Sequence, residues 1–83
     1  MNKILLDARE MEHPLPLQLS IEHLSEMQED DYFYMINNKK PIPLIEIVKG
    51  KGFFHFEHLD DKEVWHIIIS KNSNLNLKDL LDV

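Results

Sequence analysis

All four prolines of this chain fall in two short pairs, Pro14 with Pro16 in "HPLP" and Pro41 with Pro43 in "KPIP". Proline is excluded from helix interiors and from central sheet ladders, but it suits the first helical turn, where its missing N–H is not needed. Each pair is followed by apolar residues at helical spacing. Behind the first come Leu17, Ile21, Leu24 and Met27, which trace one helical face and leave Glu22, Glu26 and Glu29 outward. That pattern predicts a helix from Pro16 to Gln28. Behind the second come Leu44, Ile47 and Val48, closed by Gly50 and Gly52, which predicts a helix from Pro43 to Lys49.

The other apolar runs are short and rich in β-branched and aromatic residues, as strands are. They are "KILLD" (3–7), the run from Tyr32 to Asn37, "FFHFEHL" (53–59) and "VWHIIIS" (64–70). A two-residue hairpin loop at Asp61-Lys62 pairs Leu59 with Val64 and Phe56 with Ile67. In that register Phe54, Phe56, Trp65, Ile67 and Ile69 form a core face. Phe53, His55, Glu57, His66 and Ile68 take the other. The order β-α-β-α-β-β predicts an α/β two-layer sandwich, a four-stranded mixed sheet with both helices on one face. The opposite face is expected to be partly bare, with Tyr, Phe, His and Ile side chains open to a partner or to a second copy in a homodimer. Residues 1–71 make up the domain. Residues 72–83 form a tail whose leucines need something to cover and which suits a short helix capped by Asn76.

Composition narrows the function classes. The 83 residues include no cysteine, which removes disulfides, thiolate catalysis and persulfide chemistry. A small secreted domain usually needs disulfide staples, so a cytoplasmic location is expected. No apolar run approaches the roughly 20 residues of a membrane span, and the N-terminal run is too short for a signal peptide. The formal net charge of −6 argues against binding a phosphate backbone. Both glycines lie in "KGKG", so a glycine-rich phosphate loop is not expected.

The stretch "LDAREMEHPLP", the helix behind it and the element order resemble the TusA/SirA-like family of small bacterial proteins. That family carries L-D-x-R-G-x-x-C-P-x-P at this place. Leu6, Asp7, Arg9, Pro14 and Pro16 match it, Glu10 replaces the usual glycine, and His13 stands where the cysteine stands. The second half, "INNKKPIPLIEIVKGKGF", is more similar to an uncharacterised branch of the superfamily, a bacterial domain of unknown function that generally lacks the cysteine. Asn37, Pro41, Leu44, Gly52 and Phe53 match that branch, and Asn38 replaces its usual aspartate. The resemblance covers about residues 4–70 and implies the TusA-like fold. In the sulfur-carrier branch the cysteine sits at a helix N-terminus, which favours the thiolate that passes sulfur on as a persulfide. An imidazole forms no persulfide, so the scaffold carries over and the sulfur relay does not.

Candidate site residues gather in three places. His13, with Glu12 beside it, is read as a metal ligand or anion contact, or as a plain loop histidine. Asp7 and Arg9 form either a recognition pair or a structural salt bridge at the strand end. Asn37, Asn38 and Lys39 close the second strand at the second helix start, where α/β sheets often hold sites and where asparagine also serves ordinary turns. His55, Glu57 and His66 share a face in the register above and are candidates for a transition-metal site, as an alternative to His13, against an ordinary polar sheet face. His23 and His58 are expected to be solvated.

The expected function is a non-catalytic binding or accessory module with a protein partner and no nucleic-acid or membrane role. The alternative is a histidine-based metal-binding or redox-linked accessory protein, and outside that alternative no cofactor is expected. An enzyme using His13 as general base, oriented by Asp7 or Glu12, lacks a visible nucleophile and oxyanion donor.

Overall fold

The computed structural model describes residues 1–83. Its elements are β1 (Lys3–Asp7), α1 (Leu15–Glu26), β2 (Tyr32–Asn37), α2 (Ile42–Gly50), β3 (Phe54–Leu59), β4 (Trp65–Ser70) and a 3-10 turn, η1 (Leu77–Leu80). The strands lie in the order β1-β2-β4-β3. β1 pairs parallel to β2, and β4 runs antiparallel to both β2 and β3. The α/β sheet with two helices and the order β-α-β-α-β-β is the expected one. Both crossovers, β1-α1-β2 and β2-α2-β3, place their helices on the same face, as their shared handedness requires.

That face holds the main core. Leu6 from β1, Ala8 just after it, Phe33 and Met35 from β2, and Ile67 and Ile69 from β4 meet Leu24 and Met27 from the α1 segment and Leu44, Ile45 and Val48 from α2. The α1 stripe differs from expectation by one residue. Ser20 is fully buried and Ile21 is 41% exposed. The Ser20 hydroxyl donates to the Pro16 carbonyl at 2.7 Å, so a small polar residue is satisfied within its own helix where it meets the sheet. α2 closes as the glycines suggest. Gly52 takes φ +75°, and the N–H groups of Gly52 and Phe53 donate back to Lys49 and Val48.

The hairpin register is one residue away from the expected one. Leu59 pairs with Trp65, His58 with His66 and Phe56 with Ile68. The cause is the loop. Glu63 adopts a left-handed φ of +63°, its N–H donates to the Asp60 carbonyl, and the Asp60 N–H donates to Val64. This matches a three-residue loop with a left-handed third residue rather than a two-residue turn. Asp60 braces it, its carboxylate accepting from the N–H groups of Lys62 and Val64. Because strand faces alternate, the slip moves every β3 side chain to the other face. Phe54 and Phe56 therefore leave the helix side, while Trp65, Ile67 and Ile69 stay on it. Phe53, just before β3, packs against the helix-side core.

The opposite sheet face is not bare. Tyr34, Ile68 and the tail residue Leu77 form a second buried cluster, flanked by Tyr32, Ile36, Phe56, Leu75, Leu80 and Leu81. The tail leucines supply a third layer, and no side chain caps η1. Leu5 and Phe54 remain exposed at the two edges of this face.

A polar chain joins the tail to the hairpin across this cluster. The His66 Nε2–H donates to the Asp60 carboxylate at 2.9 Å. In the neutral ring, Nδ1 then accepts from the Tyr34 hydroxyl at 2.8 Å. The Tyr34 oxygen in turn accepts from the Asp82 backbone N–H at 2.9 Å. Both rings are buried, and burial pushes the Tyr34 hydroxyl pKa up. The hydrogen bond from His66, helped by the Val64 and Lys62 N–H groups, holds the Asp60 carboxyl down to about 2.

Three outcomes are expected from stability measurements. Leu77→Ala should cost about 2–3 kcal/mol in denaturant unfolding, as for a leucine in a packed layer; a loss below about 0.5 kcal/mol would show the tail undocked. Glu63→Gly relieves a left-handed backbone at a side-chain-bearing residue and should stabilise by about 0.5–1 kcal/mol. Asp60→Asn should be less stable than the parent near neutral pH. Its depressed pKa places the lost contribution above the ordinary carboxylate range, so the gap should narrow as pH falls from about 4 through about 2. A gap independent of pH would contradict a hydrogen bond that depends on the ionised Asp60 carboxylate.

Candidate functional site

β1 and β2 are parallel neighbours, so their carboxyl ends lie side by side, and each leads through a loop into a proline-led helix. The two loops enclose a pocket of about 420 Å³. Arg9, Glu12 and His13 contribute from the first loop, and Asn37, Asn38, Lys39 and Lys40 from the end of β2 and the second loop. Met11, Leu17 and Pro43 supply its accessible apolar surface, and Met35 and Leu44, almost wholly buried, lie beneath as its floor. Six of the seven residues expected at a ligand or partner surface thus share one cavity. The seventh, Asp7, stands just outside, in a shallow depression with Arg9, Glu10 and Asn38.

Asp7 nonetheless shapes the pocket. Its carboxylate takes a two-pronged pair of bonds from Arg9, 2.9 Å from Nε and 2.7 Å from Nη2, and also accepts the Arg9 N–H. The guanidinium beside it holds the Asp7 carboxyl below its ordinary range and raises that of Arg9 in return. The fork fixes the Arg9 side chain in a half-exposed position. The Asn38 amide donates to the Arg9 carbonyl at 3.0 Å and ties one loop to the other. Asn37 accepts from the Asn38 N–H at 2.8 Å, the turn chemistry open to asparagine.

Lys40 is anchored from the far side. Its ammonium lies 3.1 Å from Glu57 and 5.5 Å from the centre of the Trp65 ring. Burial pushes the Glu57 carboxyl up, but the hydrogen bonds from Lys40 and His55 outweigh it and hold it below its ordinary value. Leu17 and Leu44 read in the sequence as members of helical apolar stripes, and their place in the pocket lining has no local signal. It follows from the parallel pairing of β1 and β2.

The expected grouping of His55, Glu57 and His66 does not form. His55 and Glu57 bond each other at 3.2 Å on the helix side of β3, whereas His66 lies on the tail side of β4 with Tyr34 and Asp60. The hairpin slip separates them, and His13 is in the pocket, apart from both. No group of three His, Cys, Asp or Glu side chains is placed to hold a metal ion.

The five histidines differ in what they touch. His23 packs 5.8 Å from the Phe33 ring and His58 lies 6.1 Å from the His66 ring, so neither is simply solvated. His55 and His66 are hydrogen-bonded. His13 is exposed at the pocket and makes no side-chain hydrogen bond or ring contact within the protein.

No helix is long and apolar enough to cross a membrane. A search of curated proteins gives no match. Among solved structures, the chain is similar to a SirA-like protein from Desulfitobacterium hafniense, with a TM-score of 0.72 and 20% identity, covering 88% of this chain and 100% of that one. At that identity the likeness establishes the fold, which is SirA-like. The family model of an uncharacterized conserved protein, DUF2249, matches residues 5–71 and ends just before the tail. On that match the chain belongs to the DUF2249 family.

Proposed function

We propose that the chain is a non-catalytic binding module that engages its ligand or partner through the pocket between the β1–α1 and β2–α2 loops. The observation that carries this reading is the pocket itself. Its volume of about 420 Å³ falls in the range of small-ligand sites, and it joins apolar walls to a few placed polar groups. Two of the polar groups are held from outside, Arg9 by Asp7 and Lys40 by Glu57, so that part of the lining is set before anything binds. His13 occupies the position of the carrier cysteine in the TusA-like motif and cannot form a persulfide, so the module acts by docking.

The test is an amide NMR spectrum of the full chain, titrated with a panel of small organic acids, amines, alcohols and short peptides. Saturable shifts should cluster at His13, Leu17, Asn38, Lys39 and Leu44. His13→Trp, at an exposed lining position, should abolish them by putting an indole across the mouth. His13→Ala should leave unfolding stability within about 0.5 kcal/mol of the parent, as for a surface position. Shifts confined to other surfaces, or no saturable response to any member of the panel, would overturn the proposal.

A further inference from the structure

Charge is distributed unevenly over this acidic chain. Three of its nine Lys and Arg residues line the pocket, against one of its fifteen Asp and Glu residues. Two of the three cations are already matched, Arg9 by Asp7 at 2.7 Å and Lys40 by Glu57 at 3.1 Å. Lys39 is exposed and takes part in no ion pair, and the His13 ring beside the same cavity has no protein partner. An unmatched ammonium and a free imidazole suit one negative charge rather than two. The accessible apolar surface beside them comes from Met11, Leu17 and Pro43, with the buried Met35 and Leu44 beneath. On the reading that this pocket is the binding site, we infer that its ligand is a small amphipathic carboxylate. Its apolar part lies against Met11, Leu17 and Pro43, and its carboxylate meets Lys39 and His13.

The experiment compares four probes on the isotope-labelled full chain at low salt: octanoate, octanol, octylamine and inorganic phosphate. The first three share an apolar tail and differ in head-group charge; the fourth has charge without a tail. Octanoate is expected to shift the pocket amides saturably and to bind about tenfold more tightly than octanol, the worth of one charge-assisted hydrogen bond. Octylamine should bind more weakly still, and phosphate should leave the pocket unshifted. Lys39→Gln should bring octanoate to within about twofold of octanol, and added salt should do part of the same. Octanol or octylamine binding the pocket as tightly as octanoate would overturn the inference and leave the pocket reading intact. So would phosphate binding there with octanoate silent. If none of the four shifts the pocket but another member of the wider panel does, the inference falls alone. If nothing in either set shifts the pocket, both readings fall.

Discussion

The two central strands of the sheet are buried on both faces, and the remaining elements are arranged by that demand. β2 places Phe33 and Met35 on one face and Tyr34 on the other, and β4 places Ile67 and Ile69 opposite Ile68 in the same way. A strand apolar on both faces must be covered twice. α1 and α2 cover one face, and the tail with η1 covers the other. A chain of 83 residues buries only about 60–65% of its unfolded surface, so a dozen-residue tail supplies a layer that a larger domain would build from helices. The buried chain from Asp60 through His66 and Tyr34 to the Asp82 N–H gives that apolar layer a directional attachment. Ser70, buried on the same face, is satisfied separately by Asn72, and the fold contains no buried side-chain nitrogen or oxygen without a partner.

The same arrangement creates the pocket. With both helices on one face and β1 parallel to β2, the starts of α1 and α2 come together above the carboxyl ends of two adjacent strands. Crevices at such strand ends are the usual ligand sites of open α/β sheets. Pro14, Pro16, Pro41 and Pro43 therefore have a consequence beyond stopping strands. They set where each helix begins, and so how much of each loop is left to line the cavity. No side chain caps either helix, and the lining residues remain available for other contacts.

Element order, element type and the gathering of site residues at two loops were legible in the sequence because they rest on local signals. Proline pairs mark helix starts, glycine marks a helix end, and short β-branched runs mark strands. The hairpin register was not legible, because it turns on Glu63 adopting a backbone angle that residue type does not advertise. One residue of slip was enough to divide His55 and Glu57 from His66 and to move two phenylalanines to the other face. Ser20 in place of Ile21 on the buried side of α1 has a similar origin, since a hydroxyl satisfied by its own helix reads as polar in sequence and packs as small in the structure. The tail offered leucines without an address. Their destination depends on the apolar tail-side face of β2 and β4, a property of the assembled sheet.

The histidines show how much of a site reading depends on what each side chain already does. As sequence, five imidazoles in an acidic chain are alike, and a cross-strand trio looks the most suggestive of chemistry. In the structure the trio is divided between two structural tasks, with His66 closing the tail attachment and His55 helping Lys40 to hold Glu57. His23 and His58 rest against rings of the protein. Once those four are accounted for, His13 is the imidazole whose ring nitrogens and faces are all left unmatched by the fold. It stands at the mouth of the pocket, at the position where the sulfur-carrier motif places its cysteine. The fold matches its buried polar atoms without exception. His13 and Lys39 are not part of that buried inventory: both are exposed beside one cavity, open to solvent and to whatever group enters it.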